Sequence, residues 1–126
     1  MIAVVRYNAG NVFSVECALN RLGAEFVVTG DADTLLAADK VIFPGVGEAA
    51  AAMSHLRATG LDRVIRSITA PVLGICIGQQ LMCRHSQEGD VDCLGIFDAD
   101  VMRLTPPDPS FKVPHTGWDT VAVTAP

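Results

Sequence analysis

A cysteine stands between two glycines in Gly74-Ile75-Cys76-Ile77-Gly78, and two glutamines, Gln79 and Gln80, follow it. The apolar pair Val72-Leu73 enters this segment directly after Pro71, and Leu81-Met82-Cys83-Arg84 leaves it as a helix-like run. A thiol carried on the sharp turn between a buried strand and a helix has the pattern of a nucleophile elbow, with cysteine where serine more often stands. The turn forces the central residue into a strained backbone conformation. The residues two before and two after it approach neighbouring backbone so closely that only the smallest side chains fit. It also aims the sulfur at the positive end of the following helix, where developing negative charge is stabilised. The competing reading is a structural cysteine buried on a βα turn, which suits an isolated thiol. The paired glycines favour the nucleophile.

A sulfur attacking a carbonyl carbon needs donors waiting for the oxygen that becomes negative, and backbone N–H groups at helix starts commonly supply them. The amide of Ile77 is one candidate. The other is Pro44-Gly45-Val46-Gly47, which joins the end of one apolar run to the start of a helical one. Parallel strands bring such ends to one edge of a sheet, so both sets of donors can converge there. Taken alone, Pro44–Gly47 also reads as an ordinary glycine-rich turn. Gln80 follows Cys76 by four residues and falls on the same side of a helix, where its carboxamide can hold a polar substrate or simply face solvent. The general base is harder to find. His55 lies well inside a helical run, and His115 sits in the loop Val113-Pro114-His115-Thr116-Gly117-Trp118. His85 would stand roughly 13 Å from the elbow along an unbroken helix, out of hydrogen-bond reach. None of the three has an acid two residues later.

The elements that must carry these residues alternate. Ile2–Val5, Glu25–Thr29, Lys40–Phe43 and the elbow strand read as buried strands. Between them, Val15, Ala18, Leu19 and Leu22 form a helical stripe with Asn11 or Ser14 as its cap and Gly23 as its stop. Glu48 to about Thr59 and Leu61 to Ile68 supply two more helices. Leu94–Leu104 reads as strand or hairpin, Pro106–Pro109 as loop and Thr120–Val123 as a final strand. The predicted fold is α/β, a flavodoxin-like, mainly parallel sheet with helices on both faces, in one domain over residues 1–126. Half the residues are hydrophobic and 18% charged, which excludes a disordered chain. A net charge of −5, with two lysines and seven scattered arginines, argues against a nucleic-acid partner. No apolar run reaches membrane-spanning length and the start lacks a basic leader region, so cytoplasm is expected and no membrane association. The four cysteines form no C-x-x-C pair and read as reduced thiols, with no metal or cofactor implied.

With these segments in view, the chain resembles the class I glutamine amidotransferases, and among them the glutaminase subunits of imidazole glycerol phosphate synthase. Tyr7-Asn8-Ala9-Gly10-Asn11, Phe43–Glu48, Gly74–Gln80 and Val113–Trp118 stand in the family's order at about its spacing. The resemblance implies that Cys76 attacks the side-chain amide of L-glutamine and forms a glutamyl thioester, which water then hydrolyses. It implies an oxyanion hole from the backbone of Val46, Gly47 and Ile77, with Gly45 and Gln80 holding the glutamine. It also implies a heterodimer, with ammonia crossing into a (β/α)8 cyclase subunit that makes imidazole glycerol phosphate and aminoimidazole carboxamide ribotide for histidine synthesis. Asn11 and Trp118 match positions near that interface, although a tryptophan serves a core equally well. Gln79, Thr116 and Asp119 stand where methionine, methionine and asparagine are expected, the last two beside the interface loop. The family carries the histidine and glutamate of its triad in a later His-x-Glu segment, which these 126 residues do not contain. The resemblance therefore implies a C-terminally incomplete domain without base or orienting acid, whose unfinished sheet leaves an apolar edge exposed. Two alternatives stay open: a cysteine hydrolase pairing Cys76 with His85 or His115, and a non-catalytic docking module for the cyclase.

Overall fold

Short β-branched and apolar runs, separated by capped helices, build a four-stranded parallel sheet in the computed structural model, which describes residues 1–9 and 11–125. The elements run β1 (Ile2–Val5), α1 (Val12–Arg21), β2 (Phe26–Thr29), α2 (Ala32–Ala37), β3 (Lys40–Phe43), α3 (Ala49–Thr59), α4 (Leu61–Ser67), β4 (Val72–Gly74) and α5 (Ile77–Met82). The strand order is β2-β1-β3-β4, every pair parallel, with Val4 opposite Val28 and Ile42, and Phe43 opposite Gly74. Two-residue strands β5 (His85–Ser86), β6 (Val91–Asp92) and β7 (Asp100–Val101) form a second sheet in the order β6-β5-β7.

Alternation along the strands sends Ala3, Val5, Val41 and Phe43 to one face. There they meet Leu35 of α2, Met53 and Leu56 of α3, Leu61 and Ile65 of α4, and Leu81 of α5 in a single core. The opposite face is barely covered: Val4 is buried, but Leu73 is 58% exposed. Leu19 is the one buried residue of α1. The predicted α1 stripe is therefore only partly used, because Leu22 is already the cap residue from which the chain turns away at Gly23.

Caps fix the helix starts. The Asn11 side chain accepts from the Ser14 N–H at 3.4 Å, so Asn11, not Ser14, caps α1. Glu48 accepts from the N–H groups of Ala50 and Ala51 at 2.8 and 2.9 Å. Asp31 does the same for α2, a six-residue helix that sequence patterning does not reveal.

Three expectations need correction. The helix after the elbow ends at Met82, with Cys83 as its cap residue in extended conformation, so it does not continue through Arg84. Of Leu94–Leu104, only Asp100–Val101 is strand. Thr120–Val123 forms no strand and is exposed, because β-branched residues make a strand only where an edge offers hydrogen-bond partners. No helix among the described residues is long and apolar enough to cross a membrane.

Candidate active site

Three strand ends converge at one edge of the parallel sheet, because β1, β3 and β4 are neighbours running in the same direction. β1 leads into Tyr7–Ala9, β3 into Pro44–Gly47 and β4 into Cys76. Cys76 adopts φ 54°, ψ −119°, a conformation that non-glycine residues avoid and that costs of order 1–3 kcal/mol. The strain is over-determined by its surroundings. Ile75 N–H donates to the Phe43 carbonyl at 3.0 Å, and Gln80 N–H donates to the Cys76 carbonyl at 3.1 Å. Gly78 packs on the end of β3 so closely that a Cβ would run into the Phe43 carbonyl oxygen. At Gly74 a Cβ would lie 2.7 Å from Gln79 Cα. Both glycines are thus demanded by close approach, as the G-x-C-x-G spacing predicts.

Cys76 is exposed on a cleft of about 690 Å³ that Gly47, Ile77 and Gln80 also line. Among the described residues, neither the Gly47 nor the Ile77 N–H donates to a backbone group outside the helices and strands. Gly47 has φ +120°, which glycine alone adopts readily. Gly45 is buried behind the cleft, and the Val46 side chain is half exposed and does not line it. Behind the turn, the Tyr7 hydroxyl donates to the Pro44 carbonyl at 2.8 Å. Burial pushes the Tyr7 phenol pKa strongly upward, and the charge of nearby Cys76 adds to the shift.

The opposite wall was not predicted. Gln87, Glu88 and Arg103 line the cleft, because the early end of α5 lets the chain turn back through β5. Gln87 braces this wall: its N–H donates to the Val101 carbonyl at 2.9 Å, and its side chain accepts from Arg103 N–H at 2.8 Å. Helix-like apolar spacing through Arg84 conceals that turn, and no glycine or proline marks it.

None of the three histidines lines the cleft. His85 lies between Asp92, at 2.9 Å from Nδ1, and Asp90, at 3.1 Å from Nε2. The Asp92 hydrogen bond is the main cause of its raised pKa, opposed by partial desolvation and aided by the Asp90 charge. Its acids come from across the β5–β6 turn, where a search two residues downstream does not look. His115 borders a separate surface depression with Phe111 and Thr116, and His55 is half-buried in α3. Asn11 caps α1, while Trp118 is fully exposed and contributes nothing to the core. Among the described residues, no group of three or more His, Cys, Asp or Glu side chains could hold a metal ion.

A strained thiol exposed on a cleft that a carboxamide also lines is an arrangement suited to nucleophilic attack. Comparison with known proteins gives the lineage. The model of the CobB/CobQ-like glutamine amidotransferase domain matches residues 1–105. The chain belongs to the glutamine amidotransferase family. Imidazole glycerol phosphate synthase subunit HisH of Bacteroides thetaiotaomicron is 61% identical over 123 residues, covering 98% of this chain and 63% of that protein. The HisH subunit of Idiomarina loihiensis is 47% identical over 124 residues, 98% of this chain and 62% of the relative. This amidotransferase chain thus spans a little under two thirds of the length of the curated relatives it matches. A glutamine amidotransferase crystal structure superimposes with a TM-score of 0.68 at 23% identity, over 81% of this chain and 56% of that one. The shared fold is that of the parallel sheet described above.

Proposed function

We propose that this chain is the glutaminase part of an imidazole glycerol phosphate synthase, with Cys76 as its nucleophile. The observation that carries the chemistry is the strained Cys76, at φ 54°, opening on the cleft bordered by the Gly47 and Ile77 N–H groups. The 61% identity to a HisH subunit supports the substrate and the pathway.

Cys76 Sγ attacks the side-chain carbonyl carbon of L-glutamine, and the carbonyl oxygen takes the negative charge. The N–H groups of Gly47 and Ile77, with the backbone at Val46, receive that oxygen. Collapse of the intermediate breaks the C–N bond, the proton given up by the Cys76 thiol ends on the departing nitrogen, and ammonia leaves behind a glutamyl thioester that water hydrolyses to glutamate and the free thiol. Gln80 holds the glutamine chain in the cleft with Gly45 packed behind it, while Glu88 and Arg103 carry charges opposite to its α-ammonium and α-carboxylate. The ammonia passes to a (β/α)8 cyclase subunit docked near Asn11 and Trp118. No cofactor enters this chemistry. His85 and His115 do not line the cleft, so a hydrolase that pairs either with Cys76 is disfavoured. The same observation favours one second reading, a docking module for the cyclase that turns over no glutamine by itself.

The test is ammonia release from L-glutamine by the full-length chain with the cyclase present. Cys76→Ala is expected to lower turnover by at least ~10³-fold while association with the cyclase persists. Turnover retained in Cys76→Ala contradicts the nucleophile assignment. Association without turnover in the unmutated protein leaves the docking module.

A further inference from the structure

Two of the four residues in Pro44-Gly45-Val46-Gly47 are glycines, and Gly47 sits at φ +120°. A turn of this composition has several accessible backbone conformations, and only some direct the Gly47 N–H into the cleft. Something outside the turn must select one. Among the described residues, the one side chain from outside that bonds the turn's backbone is that of Tyr7, 8% exposed in the loop after β1. Its hydroxyl donates to the Pro44 carbonyl at 2.8 Å, and its ring lies against Phe43 with centroids 5.3 Å apart. A Cβ on Gly45 would collide with that hydroxyl and would stand 2.9 Å from Ile77 Cγ2 and 3.2 Å from the Ala9 carbonyl. The turn is therefore gripped between the loop after β1 and the start of α5, with the phenol as its polar contact.

We propose that Tyr7 is a positioning residue: its buried hydroxyl fixes the Pro44–Gly47 turn so that the Gly47 N–H shares one acceptor site with that of Ile77. This rests on the reading of Cys76 as nucleophile and deepens it. The hydroxyl fixes the Pro44–Gly45 peptide plane by holding its carbonyl, and the next two residues then carry the Gly47 amide to the cleft. A phenol keeps its proton, and so the donor, throughout the neutral range, and burial pushes the Tyr7 pKa further up.

The test is Tyr7→Phe in the full-length protein with its ammonia-accepting partner, read by steady-state glutamine turnover. We expect kcat to fall about ten- to hundredfold with KM within about twofold, since the contact acts on the transition-state donor. Alkylation of Cys76 by iodoacetamide should stay within about twofold, since the sulfur's own position is held by β4 and α5. Tyr7→para-aminophenylalanine, which restores a donor at the same place, should recover most of the lost kcat. A lower melting temperature with unchanged kcat makes Tyr7 a packing residue and overturns the proposal. So does a loss expressed in KM, or failure of the amino variant to turn over better than Phe. If Tyr7→Phe does not fold, the amino variant alone decides, and a kcat more than about tenfold below the unmutated protein refutes the role. Equal turnover by unmutated protein and Cys76→Ala removes the nucleophile reading and this proposal together.

Discussion

Gly78→Ala tests whether the approach of α5 to β3 sets the geometry of the cleft. The new Cβ points at the Phe43 carbonyl, whose oxygen it would strike and whose carbon would lie 2.7 Å away. Ordinary contact begins at 3.4 Å, so the carbon alone demands a retreat of about 0.7 Å at the start of α5, and the nearer oxygen demands more. No side-chain rotation relieves this, because the obstructing atoms are backbone, with the Pro44 carbonyl oxygen a further 3.1 Å contact. The retreat pulls on the Ile75 N–H···O bond to Phe43 and carries Cys76 and the Ile77 N–H away from Gly47. Overpacking of this kind costs about 1–3 kcal/mol. A misplacement near 1 Å at a reacting centre costs on the order of 10²-fold in rate. We therefore expect kcat for glutamine to fall roughly ten- to hundredfold, beyond what partial unfolding explains. Gly23→Ala supplies the control. Gly23 has φ +64° and no atom within 4 Å of a notional Cβ, so it carries a backbone penalty of roughly 1–2 kcal/mol far from the cleft. Both variants are compared by ammonia release and thermal unfolding. A Gly78→Ala protein with kcat within about twofold of the unmutated one refutes the reasoning, because the close approach would then not govern the site.

Other outcomes follow from the caps and charges. Removing the double N-cap with Glu48→Ala should cost about 0.5–2 kcal/mol in urea unfolding; no change would mean that water or Glu88 replaces the carboxylate at the start of α3. His85 has a raised folded pKa, so its stabilising contribution is complete below the ordinary histidine value of about 6.5. That contribution is lost as pH rises through the higher folded value, and His85→Gln should flatten this limb of the melting-temperature profile. Asp31 and Asp100 have lowered pKa values, caused chiefly by hydrogen bonds from Thr34 and Arg84 respectively. Their contribution is present above the ordinary carboxylate range and is lost as pH falls through the lower folded values. Neutralising both residues should therefore weaken the acid limb, and an unchanged profile would count against these hydrogen bonds.

The strands of the main sheet and the elbow were legible in the sequence because each depends on local constraints. Ile2–Val5 and Lys40–Phe43 are apolar runs too short for helices, and Gly74 and Gly78 bracket a turn that tolerates no Cβ on either side. Gly47, Ile77 and Gln80 reach the Cys76 cleft because parallel strand ends share an edge, which follows from the alternating pattern alone. The second wall was not legible. Gln87, Glu88 and Arg103 depend on α5 stopping after six residues, and Leu81–Arg84 carries no stop signal. Tyr7 was visible only as part of a turn motif, since its link to Pro44 spans 37 residues. The final strand at Thr120–Val123 failed for the converse reason: its β-branched residues have local propensity but no edge to join.

Acid quenching of the full-length chain during glutamine turnover with its cyclase partner, followed by peptide mass analysis, tests the central claim most directly. The account predicts a glutamyl thioester on the peptide carrying Cys76 and none on those carrying Cys17, Cys83 or Cys93, with the adduct lost in Cys76→Ser. An adduct on another cysteine, or steady turnover in Cys76→Ser, would contradict it.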